Sequence, residues 1–158
     1  MQTSVDHSQS NIGDVRAHAA RRDWNREAVG KIEADFNRTS DTHLILHRFL
    51  ESQDIRIYLK DESTHPSGSL KHRLARSLFL YGLCSGQITE GTTVVESSSG
   101  STAISEAYFA RMLGLPFVAV MPASTSPEKI ALIEFHGGTC AFVERAPDIY
   151  DEGRRHGA

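Results

Sequence analysis

The stretch Thr92-Thr-Val-Val-Glu-Ser-Ser-Ser-Gly-Ser-Thr-Ala-Ile-Ser-Glu-Ala-Tyr-Phe-Ala-Arg-Met-Leu-Gly-Leu-Pro-Phe-Val-Ala-Val-Met121 passes from strand to helix and back to strand. Thr92 to Glu96 reads as a short strand, and Ser97-Ser-Ser-Gly-Ser-Thr102 as a loop running into a helix. That helix ends near Leu113, with Gly114 placed just past its end and Pro116 unable to continue it. Phe117-Val-Ala-Val-Met121 is a continuous apolar run, the pattern of a parallel strand buried on both faces. Ser126-Pro-Glu-Lys129 opens a further helix, with Ser126 as N-cap and Pro127 at its first position. Gly137-Gly138 closes it, and Thr139-Cys-Ala-Phe-Val143 is the next strand. The order βαβαβ predicts an α/β chain built on a parallel sheet.

Toward the N-terminus the same reading gives Leu70 to Leu83 as a helix, with apolar residues at 70, 74, 78 and 81 along one face. Before it lies a turn-rich loop, Lys60 to Ser69, holding Pro66 and Gly68. His43-Leu-Ile-Leu-His47 and Ile55-Arg-Ile-Tyr-Leu59 read as short strands, the second alternating apolar and polar. The intervening Leu-Ile-Leu of the first reads as core, so His43 and His47 are assigned a structural role rather than a metal. Residues 1–40 form a polar N-terminal arm. Asp14 to Phe36 holds a helix with a sparse apolar face of Val15, Trp24, Val29, Ile32 and Phe36, packing on its own body or on a partner. At the other end, Pro147 to Ala158 opens like another helix and stops, which predicts a truncated chain.

Composition narrows the function classes. Of the 158 residues, 39% are hydrophobic and 23% charged, enough for a packed core. The net charge of −3, with no dense Lys/Arg stripe, speaks against nucleic acid. No apolar run approaches the ~20 residues of a membrane helix. Met1-Gln-Thr-Ser-Val-Asp-His7 lacks the order of a signal peptide, so a cytoplasmic protein is expected. Cys84 and Cys140 have no CxxC spacing and read as small packing residues.

Two segments carry chemistry. In His65-Pro-Ser-Gly-Ser-Leu-Lys71-His-Arg73 a turn delivers one lysine to the first turn of a helix. The positive end of the helix dipole disfavours a charge there and favours the neutral amine, the form that condenses with an aldehyde. In Glu96-Ser-Ser-Ser-Gly-Ser-Thr-Ala-Ile104, four serines and a threonine crowd positions 97–102 where a strand passes into a helix. Hydroxyls and backbone N–H groups at a helix start form a ready anion site. Taken singly, each has a plainer reading: an exposed lysine near a helix start, and a soluble capping loop.

Together and in this order, the two segments resemble the pyridoxal-phosphate enzymes of the cysteine synthase and cystathionine β-synthase family, fold type II. The family pattern of Lys-x-Glu followed by Asn-Pro-Thr-Gly-Ser-x-Lys-Asp-Arg stands here as Lys60-Asp-Glu-Ser-Thr-His-Pro-Ser-Gly-Ser-Leu-Lys71-His-Arg73. Its second block, Pro-Thr-Ser-Gly-Asn-Thr-Gly, corresponds to Ser97-Ser-Ser-Gly-Ser-Thr-Ala103. A third match is Val120-Met-Pro-Ala-Ser-Thr-Ser-Pro-Glu-Lys129, followed by Gly137-Gly-Thr139. Ser101 stands for the family's Asn, His72 for its Asp and Ala103 for a Gly. That combination resembles a bacterial branch that includes L-cysteine desulfhydrases.

The resemblance implies an N-terminal part of the fold type II (tryptophan synthase β-like) architecture over residues 41–158. It implies pyridoxal 5′-phosphate as cofactor, carried as a Schiff base on Lys71, with Ser101 near the cofactor ring oxygen. Ser98, Ser99, Gly100, Ser101 and Thr102 would hold the carboxylate of a small amino-acid substrate. Released Lys71 would take the α-proton. The implied reaction is β-elimination of L-cysteine to sulfide, pyruvate and ammonia. The alternatives are β-replacement of the synthase type, and a non-catalytic fragment. The family's glycine-rich phosphate loop and its partner for the pyridine nitrogen lie downstream of the segments present. The full-length form is expected to be a homodimer, with Leu70, Leu74, Leu78 and Tyr81 left exposed in the chain as given.

Overall fold

A computed structural model describes residues 7–39, 41–47 and 55–157. Helix α1 (His7–Thr39) leads to a two-stranded antiparallel ribbon, β1 (Leu44–Leu46) with β2 (Tyr58–Lys60). Then follow α2 (Lys71–Ser85), β3 (Val94–Glu96), α3 (Ser101–Leu113), β4 (Phe117–Pro122), α4 (Pro127–Phe135), β5 (Thr139–Val143) and α5 (Ile149–His156). Strands β3, β4 and β5 form one parallel sheet in that order, so the βαβαβ reading holds. Central β4 has Phe117, Ala119, Val120 and Met121 all buried. Its continuous apolar run is the consequence of being covered on both faces. The register sets Glu96 beside Ala119 at the carboxyl end of the sheet, and the serine loop leaves from there. In open α/β sheets, ligands collect at that end.

The core lies where α2 and α3 pack together. Alanines 103, 107 and 110 let the helix backbones approach, while Phe79 of α2 and Phe109 of α3 fill the gap with ring centroids 5.9 Å apart. Burying each ring contributes about 2 kcal/mol. Gly114 takes φ 70° to end α3, which a side chain would resist. Gly138 has no room for one: an added Cβ would lie 2.8 Å from Ile133 and 2.9 Å from Phe117.

Several boundaries differ from the sequence reading. Helix α1 extends beyond Asp14–Phe36 at both ends, and within it Arg16-Ala-His-Ala-Ala-Arg-Arg22 lies largely exposed and is sustained by helix propensity. The arm packs on its own body: Ala28, Ile32 and Asp35, at helical spacing, are buried, and Arg76 of α2 sits 3.9 Å over the Phe36 ring. Strand β2 begins at Tyr58, not Ile55, because its pairing partner β1 offers only Leu44 to Leu46. Strand β3 begins at Val94, since Thr92 is held in a turn by Thr89. Leu44 and Ile45, read as core, are 64% and 49% exposed on the ribbon. Cys84, read as a packing residue, is exposed; Cys140 does pack against the core. In α2 the buried stripe is His72, Ala75, Phe79 and Leu83, and Leu70, Leu74, Leu78 and Tyr81 are exposed.

Candidate active site

The lysine turn is held from below by Glu62. Asp61 accepts from Ser63 N at 3.0 Å and starts a 3₁₀ turn over Glu62–Thr64. The Glu62 carboxylate then accepts from Arg73 Nε at 2.8 Å, lies 2.8 Å from His65 Nε2 and accepts from Thr42 Oγ1 at 3.2 Å. The Arg73 guanidinium, more than any other group, holds its carboxyl down at about 2. Glu62 and Arg73 belong to the two halves of the motif around Lys71, and their pairing fixes the loop between them. Gly68, at φ 72°, makes the turn, and Ser69 Oγ accepts from the Lys71 amide at 3.2 Å, so a serine caps α2 from outside its first residue. Lys71 is the first residue of α2 and half-buried.

The serine loop presents half-buried residues from Ser97 to Thr102. Ser97 is committed to structure: its hydroxyl donates to Ile149 O at 2.9 Å and holds the start of α5. Ser98 Oγ accepts from Gly100 N at 3.2 Å. Gly100 precedes α3 in an extended conformation, and no side chain caps the helix, which leaves its first-turn amides available. Among the described residues, no hydrogen-bond partner takes up the hydroxyls of Ser99, Ser101 or Thr102.

A buried polar chain joins the two segments. Asp35 of α1, fully buried, lies 2.9 Å from His72 Nε2 through Oδ2, and its Oδ1 accepts from Tyr108 OH at 2.7 Å. His72 Nδ1 is 3.1 Å from Ser67 Oγ, which is 2.8 Å from Ser105 Oγ. Burial pushes the His72 pKa down, against the pull of Asp35, which favours the neutral ring. The carboxylate requires the proton on Nε2. Nδ1 then accepts from Ser67, and Ser67 accepts from Ser105. His65 stacks on His72 at 4.9 Å.

Glu106, one turn into α3, is a second buried acid. Loss of water around it, and then repulsion from Glu96, push its carboxyl up to about 8. Glu96 is raised by burial as well. The carboxyl flank of the serine loop therefore favours a proton over a second negative charge.

Lys71 and the 98–102 loop thus sit at the starts of two packed helices, tied at Ser67 and Ser105. These donors fit the aldehyde end of pyridoxal phosphate and an amino-acid carboxylate. Lys60 pairs with Glu62 at 3.6 Å and Lys31 with Glu27 at 2.9 Å, whereas no carboxylate among the described residues pairs with Lys71. Sequence reasoning missed Asp35, Ser67, Ser105 and Glu106. One available signal was His72 itself, a polar residue in register with Ala75 and Phe79 that needs a buried partner.

The model of a family described as pyridoxal-phosphate dependent enzymes matches residues 38–158. The chain is 57% identical over 145 residues to an L-cysteine desulfhydrase, Cds1, of Mycobacterium tuberculosis, covering 89% of this chain and 39% of that protein. Among solved structures, an O-ureido-L-serine synthase superposes with TM-score 0.66 at 32% identity, over 73% of this chain and 39% of the other. An O-acetylserine-dependent cystathionine β-synthase from Helicobacter pylori gives TM-score 0.70 at 25% identity, over 77% and 42%. The chain therefore spans about two-fifths of the length of the relatives it matches.

Proposed function

Since the chain belongs to the pyridoxal-phosphate-dependent enzymes, we propose that its activity is cysteine desulfhydration: L-cysteine and water give sulfide, pyruvate and ammonia. The observation that supports it most is the 57% identity to a protein named for that reaction, over a segment that includes most of this chain. The amine of Lys71 is the group that holds the cofactor aldehyde. When bound, pyridoxal phosphate supplies an electron sink for the carbanion left at Cα. Lys71 Nζ would also serve as the base toward the Cα proton of the substrate. Ser98, Ser99, Gly100, Ser101 and Thr102 hold the substrate carboxylate at the uncapped start of α3, and Ser101 is also assigned to the cofactor ring oxygen. Residues 1–40 are read as an arm and 41–158 as part of the catalytic domain.

The partners proposed are a small amino acid and a second copy of the chain. The exposed stripe of Leu70, Leu74, Leu78 and Tyr81 is read as the face that packs on the remainder of the catalytic domain. No described helix is long and apolar enough to cross a membrane; a cytoplasmic site of action is proposed with the function.

The test supplies pyridoxal phosphate and follows sulfide and pyruvate together. Equimolar release from L-cysteine, lost in Lys71→Ala, is the expected result. Sulfide consumed with O-acetylserine, and none released from cysteine, would assign the protein to β-replacement instead.

A further inference from the structure

We propose that Asp35, on the N-terminal helix ahead of the matched family region, is a positioning residue for Lys71: it acts through His72, Ser67 and Ser105 to hold the lysine turn against the serine loop. The inference rests on the reading of Lys71 given above. The family match begins at residue 38, so Asp35 lies outside it. Yet its carboxylate is fully buried and reaches His72, the residue directly after Lys71, at 2.9 Å. A carboxylate accepts only, so it selects one imidazole tautomer. With the proton on Nε2, His72 Nδ1 can only accept, and Ser67 must turn its single proton toward it. Ser67 can then only accept from Ser105. Every donor in the chain is thereby assigned a direction. The last link crosses from the loop that carries Lys71 to the helix that carries the serine loop. Remove the carboxylate and both tautomers and both hydroxyl orientations become equivalent, so the two segments lose their fixed relation.

Tyr108 supplies the control. Its hydroxyl donates to the other Asp35 oxygen at 2.7 Å, so Tyr108→Phe loosens the same buried carboxylate without changing the direction of the His72 chain. Asp35→Asn keeps the shape and can donate to His72. Three readouts separate the possibilities. Nitrogen-15 NMR should show the His72 proton on Nε2 in the native protein and in Tyr108→Phe, and displaced in Asp35→Asn. Amide exchange should rise together at 67–72 and 101–106 in Asp35→Asn, with β4 and β5 unchanged. Pyridoxal phosphate trapped on Lys71 by borohydride should weaken in apparent affinity by about tenfold in Asp35→Asn, the effect of losing one charge-assisted hydrogen bond, and by less than about twofold in Tyr108→Phe.

A His72 tautomer indifferent to Asp35→Asn overturns the inference. So does an exchange pattern shared by both variants, which would make Asp35 a stability residue only. A native protein that traps no cofactor on Lys71 would refute the cofactor reading, while NMR and exchange still decide whether Asp35 joins the two segments.

Discussion

Ser67 Oγ lies 2.8 Å from Ser105 Oγ across 38 positions of chain, and this hydrogen bond ties the lysine turn to the helix of the serine loop. Ser105 is fully buried, so its hydroxyl has no water to fall back on. Ser105→Ala should therefore cost about 1–3 kcal/mol of stability, the penalty of leaving Ser67 without its donor. Ser67→Ala should cost a similar amount, and the double variant less than the sum of the two. Urea unfolding of the four proteins measures this; strict additivity would mean that the two hydroxyls do not interact.

The serine loop should govern substrate rather than cofactor. Ser99→Ala and Thr102→Val are each expected to weaken amino-acid binding by about 1–3 kcal/mol, as for a lost hydrogen bond to a charged group. Cofactor retention should hardly change. Titration of the holo-protein with L-cysteine or a non-reacting analogue, followed by absorbance, checks both. Ser101→Asn should shift the cofactor spectrum; an unchanged spectrum would remove Ser101 from the ring oxygen.

Through Glu106, stability should fall as pH rises from 4.5 to about 8. Its carboxyl is raised from the ordinary 4.5 to about 8 by burial and by Glu96. The folded chain keeps a proton that the unfolded chain has released, so the stabilisation is complete in acid. It is lost as pH climbs through that window, by at most about 1.4 kcal/mol per pH unit. His72 acts in the opposite sense at lower pH: burial depresses it below 6.5, and stability is lost as pH falls through that range. Between pH 6.5 and 8 the Glu106 effect stands alone of the two. The urea midpoint should decline there in the native chain and flatten in Glu106→Gln. A slope that survives the substitution would place the titrating group elsewhere.

The buried face of α2 should outweigh its exposed one. Phe79→Ala should cost about 3–5 kcal/mol through loss of transfer energy and a cavity beside Phe109. Leu74→Ala, on the exposed stripe, should stay within about 0.5 kcal/mol in the monomeric chain. Thermal or urea melts compare them, and equal losses would show that the exposed stripe is covered in solution.

The parallel strands and the helices between them were legible because their patterns are local: a continuous apolar run at 117–121, and glycine with proline just past Leu113. Lys71 and the 98–102 loop were legible as motifs. The supports of the site were not. Asp35 sits on a helix with little apolar character, and its burial comes from His72, 37 positions away, so nothing within the helix marks it. The leucine period at 70, 74 and 78 correctly gave a helix, but the face that packs is the one bearing His72 and Phe79. Cys84 follows the buried Leu83 by one residue, and that single step around the helix carries it to the surface. Glu106 went unnoticed because an acid inside a helix is ordinarily exposed; here α3 is buried on most sides.

Borohydride reduction of the protein incubated with pyridoxal phosphate, followed by peptide mass spectrometry, tests the assignment of the cofactor to Lys71 most directly. The modified lysine should be Lys71, with the label abolished by Lys71→Ala and retained in Lys60→Ala, whose amine is already paired with Glu62. Recovery of the label on Lys60 or Lys129, or undiminished labelling of Lys71→Ala, would contradict it.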